Sequence, residues 1–157
     1  VEWQPVIGEL GQADYLLRRV ALMSAMDYDK IFLFTLSDLD ARATPRDRAY
    51  GLLRLDGSEK PAYQALQRLL QLFGPRLEPL TPPAPSSTPE GMISMAWRRS
   101  DGRTLWLFWA RQSGQVQLAG SGKATLHNPL RGTQQTLRTS GGYFSLPVSR
   151  ELQVLVR

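Results

Sequence analysis

The residues best placed to do chemistry are carboxylates. Asp38 and Asp40 follow the apolar run Lys30-Ile-Phe-Leu-Phe-Thr-Leu36 and Ser37. A short apolar run closed by polar residues predicts a strand buried on both faces, as in parallel sheets covered by helices. Carboxylates just past the C-terminal end of such a strand stand where barrel enzymes keep their sites. There they could bind substrate hydroxyls, or they could cap and shape the following loop. A third carboxylate, Glu9, precedes Leu10-Gly11-Gln12, where a helix begins. In a first helical turn it is favoured by the helix dipole. His127 is the one histidine and lies far from any acidic cluster, so it reads as a strand-end or turn residue. With no cysteine and a single histidine, thiolate catalysis, zinc ribbons and disulfides are excluded, and a Ser-His-Asp arrangement has little to work with.

The elements that must position these residues follow from periodicity. Apolar residues from Ala13 to Met23 recur at three and four, predicting a helix over Leu10–Met26. The strand Lys30–Leu36 comes next. The polar loop 38–49 is long for a connector. Leu52–Leu55 reads as extended, with a turn at Asp56-Gly57. A second helix is predicted over Pro61–Phe73, with Ser58 as its cap and Gly74-Pro75 as its stop. Residues 75–91 are rich in proline and read as a stiff linker. Beyond them the period changes to two, and Ser100-Asp101-Gly102 marks a hairpin between Met92–Arg98 and Thr104–Ala110. Further strands are expected at Gln115–Ala119, Lys123–His127, Gln134–Arg138, Tyr143–Leu146 and Leu152–Val156, the pattern of a small antiparallel sandwich.

The domain reading is therefore 1–74 as α/β, 75–91 as linker and 92–157 as all-β. At 157 residues the chain is too short for a complete (β/α)8 barrel, which takes roughly 200 or more. Its first domain is expected to be the C-terminal end of such a barrel, the last helix-strand-helix units. Val1-Glu2-Trp3-Gln4-Pro5 reads as mid-sequence, consistent with a piece of a longer protein. No run of about 18 apolar residues is present. The formal charge is +5, from 19 Lys and Arg against 14 Asp and Glu. The arginines are dispersed along the sequence with no aromatic interleaving, so they read as solvated surface, and no nucleic-acid partner is expected.

Four pieces carry a resemblance: Gln12-Ala-Asp-Tyr-Leu-Leu-Arg18, Phe34-Thr-Leu-Ser-Asp38, Tyr50-Gly-Leu-Leu53 and Lys60-Pro-Ala-Tyr63. They resemble the end of clan A glycoside hydrolases, in particular family 39-like enzymes with a C-terminal β-sandwich. Among these, the chain is similar to periplasmic glycosidases of exopolysaccharide pathways. The resemblance implies a retaining endo-hydrolase of a bacterial exopolysaccharide that uses two glutamates, with no metal or cofactor. It implies a periplasmic or secreted protein, monomeric when intact, whose partners are its polysaccharide substrate and the N-terminal remainder of the barrel. In retaining enzymes the acid/base and the nucleophile sit about 5 Å apart. The strand bearing the acid is absent from residues 1–157, and the nucleophile is expected before Val1. The other alignment makes Glu9, in Pro5-Val-Ile-Gly-Glu9, the nucleophile. Phe34 matches a family aromatic that could stack on a sugar, or it could be core. Trp3, if it lies on the loop before the first helix, could be a sugar platform. Trp97, Trp106 and Trp109 belong to the sandwich. An alternative function is a non-catalytic carbohydrate-binding or scaffold module, with Trp97 and Trp109 among its contacts.

Overall fold

Apolar stripes and turn residues set the order of elements, and each forms for a local reason. The computed structural model describes residues 7–26, 28, 30–44 and 47–157. These divide into two compact units, Val1–Gln67 and Arg68–Arg157.

In the first unit, helix α1 spans Gly8–Ser24 and buries Ala13, Leu17, Val20 and Ala21, a stripe at helical spacing. The wet side is held by Arg18, which donates to Asp14 four residues back at 2.7 Å and lies over the Tyr15 ring. Residues 30–36 do not form the expected strand. Backbone bonds to Thr35, Leu36 and Leu53 tie this segment to residues 52–53, but the only bridge is an isolated parallel one, Ser37 to Leu53. Phe32 is 87% exposed, Phe34 75% and Leu36 61%. The run has the composition of a buried strand, yet a strand is buried only when neighbours pair with it on both sides, and among the described residues it has one bridge. The Phe34–Thr35 peptide is cis.

Helix α2 spans Pro61–Phe73, the bounds read from the sequence, and ends at Gly74, whose φ of 69° suits a helix C-terminus. Ser58 does not cap it. Its hydroxyl instead donates to Asp56 at 2.6 Å and accepts from Arg54 at 3.1 Å.

The second unit is an antiparallel sandwich. Its larger sheet contains β1 (Leu77–Leu80), β2 (Ile93–Arg99), β3 (Thr104–Trp109), β5 (Lys123–Asn128), β6 (Thr133–Arg138) and β8 (Gln153–Val156), in the order β1-β2-β3-β8-β5-β6. The smaller sheet pairs β4 (Gly114–Ala119) with β7 (Tyr143–Val148). Ala96, Trp106, Phe108, Leu126 and Leu155 from the large sheet share one core with Val116, Leu118, Phe144 and Leu146 from the small one. On the other face of the large sheet, Phe73 at the end of α2 meets Trp97, with ring centroids 5.8 Å apart. Strand β1 is a correction: it lies inside the stretch expected to be linker. Pro79 is tolerated there because β1 is an edge strand, where a missing N–H costs no ladder bond.

Candidate functional site

The loop between residues 37 and 60 carries Asp38 and Asp40, and backbone pairing builds it. Asp38 N–H donates to Leu53 at 2.9 Å, and Leu39 N–H donates to Arg48 at 3.1 Å. Gly51 passes so close to this segment that a Cβ would stand 2.2 Å from Asp38 N and 2.7 Å from the Leu53 carbonyl oxygen. Only glycine fits that approach. From α1, the Gln12 amide donates to the carbonyls of Tyr50 and Gly51 at 3.2 and 3.1 Å, fixing the same strip from the other side.

Asp38 sits at the centre. Its Oδ1 accepts from Lys60 Nζ at 2.6 Å and from Gly51 N–H at 2.9 Å. Lys60 is 2% exposed, and its ammonium also donates to the Ala49 carbonyl at 3.1 Å. A buried cation with a carboxylate and a carbonyl as acceptors repays its desolvation only with such geometry. One Asp38 oxygen is therefore committed to shaping the loop. Oδ2 has no hydrogen-bond partner among the described residues.

Asp40 is occupied differently. Arg42 grips it from Nε at 3.0 Å to each oxygen, and Arg42 N–H adds a third donor. The Arg42 hydrogen bonds hold the Asp40 carboxyl below its ordinary range, and Asp40 raises the Arg42 guanidinium in turn. The pair is exposed, so it steadies the loop tip only weakly. Arg48 closes the loop from within, donating to the carbonyls of Ala43 and Ala41.

Glu9 lies in the first turn of α1, in a two-point pair with Arg54 at 2.9 and 2.5 Å. Arg54 also donates to Ser58 and to the Glu59 carbonyl, and Glu9 holds its guanidinium more firmly charged. Phe34 presents an exposed ring, open to stacking. Trp3 lies outside the described residues. Among the described residues, no group of three His, Asp or Glu side chains could hold a metal ion.

The sandwich tryptophans are packed away from solvent. Trp97, Trp106 and Trp109 are 3%, 4% and 5% exposed. A sugar platform needs an open ring face, and theirs are spent on packing: Trp106 against Phe108 at 4.4 Å, and Trp97 against Phe73. The residues missed by sequence reasoning are Lys60, Arg54 and Gly51. A lysine directly before Pro61 at a helix start was the available signal for the first, but its partner lies 22 residues away, beyond any local pattern.

No family model matches the chain, and no curated protein does. Among solved structures, the chain is similar to a family 39 glycoside hydrolase from the gut symbiont Bacteroides cellulosilyticus WH2, with a TM-score of 0.73 and 23% identity. The match covers 95% of this chain and 30% of that one, so the chain spans under a third of that protein's length. The chain therefore shares its fold with part of a family 39 glycoside hydrolase.

Proposed function

We propose that this chain is the C-terminal part of a glycoside hydrolase: residues 1–74 complete a (β/α)8 barrel, and the sandwich follows it. The observation that carries the reading is the fold likeness over 95% of the chain to 30% of a family 39 glycoside hydrolase. A second observation supports it. Phe32 and Leu36 are exposed beside a parallel bridge at Ser37, and the strands and helices of a whole barrel would cover such side chains. The activity is endo-hydrolysis with retention, by double displacement, on a mannose-rich bacterial exopolysaccharide of the Psl type, in the periplasm or outside the cell.

In this reading both glutamates lie outside residues 1–157. Glu9, gripped by Arg54, serves the structure of α1. The protein's own groups contribute at the rim: Asp38 Oδ2 accepts from a sugar hydroxyl, Phe34 and Trp3 offer rings, and Asp40 lies on the loop that follows Asp38. The intact protein is a monomer that needs no metal.

The test is a protein extended upstream of Val1. It should release reducing ends from a mannose-rich exopolysaccharide, with retained anomeric configuration in proton NMR, and the chain Val1–Arg157 should release none. Turnover by Val1–Arg157 alone, inversion at the anomeric carbon, or no turnover by the extended protein would each overturn the reading.

A further inference from the structure

Cations far apart in sequence meet at one end of the six-stranded sheet. Register sets Arg98 opposite Thr104 and Lys123 opposite Arg138. Backbone bonds join Thr104 to Arg157 at 2.8 and 3.0 Å, and Arg99 to Arg103 at 2.8 Å. Arg98, Arg99, Arg103, Lys123, Arg138 and Arg157 thus share one end, with only Glu78 and Asp101 among them. Glu78 stands opposite Arg98, and Asp101 is divided between Arg99 at 3.1 Å and Arg103 at 3.8 Å. Among the described residues, no carboxylate ion-pairs with Lys123, Arg138 or Arg157. Arg157 lies over the Phe144 ring, 5.4 Å from its centroid.

The balance of the whole chain points the same way. Residues 68–157 carry eleven Lys and Arg against four Asp and Glu, a net of +7, whereas residues 1–67 carry eight against ten, a net of −2. Like charges placed directly opposite on a sheet repel, and at Lys123 and Arg138 a bound anion would relieve that repulsion. On the same face the next pairs inward are Thr125 with Thr136 and His127 with Gln134, uncharged groups that exchange hydrogen bonds with hydroxyls. Adjacent strands lie roughly 4.8 Å apart, close to the length of one sugar residue. Lys123 and Arg138, on successive strands and one face, can therefore meet carboxylates on successive sugars.

We infer that this end of the sandwich binds an acidic polysaccharide, a uronate-bearing chain whose carboxylates pair with Lys123 and Arg138, and with Arg103 in the turn at the same end. The choice of a glycan rests on the proposed function. It is also favoured by β5 and β6 carrying no Phe, Tyr or Trp on which bases could stack.

The experiment measures binding of Val1–Arg157, without turnover, so its failure is separate from failure of the hydrolase reading. The probes are polygalacturonate, neutral dextran, duplex DNA and vesicles of anionic phospholipid. Polygalacturonate should retard the protein in affinity electrophoresis, dextran should not, and the retardation should fade with added salt. Lys123→Gln with Arg138→Gln should weaken binding roughly three- to thirtyfold, the loss of two exposed charge contacts. Arg111→Gln with Arg150→Gln, which removes the same charge at the other end of the sandwich, should leave binding within about twofold. Far-UV circular dichroism melts would confirm that each pair folds alike; if the first pair does not fold, Arg103→Gln with Arg138→Gln replaces it. Equal loss in both pairs, no preference for polygalacturonate over dextran, or tighter binding to DNA or vesicles would overturn the inference.

Discussion

The two units are held by different forces. In residues 68–157 the sandwich is closed by apolar burial, with Phe108, Phe144, Leu107 and Leu146 fully out of solvent. In residues 1–67 much of the ordering is polar: Lys60 on Asp38, Arg54 on Glu9, Gln12 on two carbonyls, and a glycine that alone permits the approach. Large apolar side chains there, among them Phe32, Phe34 and Tyr15, face solvent. Apolar burial is non-directional and tolerates substitution of like volume, whereas polar brackets depend on geometry and fail when one partner goes. The first unit should therefore be the more brittle and the more readily opened, and hydrogen exchange should show lower protection in residues 8–60 than in β3 and β8.

The largest test of the contrast is Phe144→Ala. Phe144 is 0% exposed in the sandwich core, and its loss should cost about 3–5 kcal/mol, read as a shift in the denaturation midpoint. Exchange in residues 8–60 should be nearly unchanged at its fast end, since those amides already open locally. A comparable effect is expected from Lys60→Met or Asp38→Leu alone, about 3–5 kcal/mol because each strands a buried charge. The double variant should recover much of that loss, and a strictly additive double variant would show that the pair does not act as a unit.

Gly51→Ala comes next, at about 1–3 kcal/mol, the usual cost of forcing atoms into a packed site. It should accelerate exchange at Asp38 and Leu53 first. Equal acceleration across β3 would mean that the two units open together. The smallest effect is pH-dependent. Burial lowers the His127 pKa below the ordinary imidazole value of about 6.5. The unfolded chain then takes up the proton more readily, so stability is unaffected well above 6.5 and declines as pH falls through that value toward the folded pKa. His127→Gln should flatten that decline in Tm between pH 7 and 5, and an unaltered slope would assign it to other groups.

The sheet strands were legible because period-two patterning and the Ser100-Asp101-Gly102 hairpin are local signals, and α2 because Pro61 and Gly74 punctuate it. Strand β1 was hidden by Pro79 and by the proline-rich stretch around it. Lys30–Leu36 looked like a buried strand because composition records what a segment could bury, not whether neighbours are there to pair with it. The sequence left Asp38 open between binding a sugar hydroxyl and shaping its loop. The bonds from Lys60 and Gly51 that shape the loop needed the return of the chain to be seen. The cations of the sandwich read as scattered because cross-strand register, rather than sequence distance, brings Arg98, Lys123, Arg138 and Arg157 to one end.

The two borders of the large sheet carry a further consequence. On one side Pro79 interrupts the donors of β1, and on the other β6 presents Thr133, Gln134, Gln135 and Arg138 to solvent. A strand from another molecule seeking to extend the ladder would find a missing donor at one border and an uninviting polar, charged row at the other. The large sheet thus resists edge-to-edge growth at both of its borders.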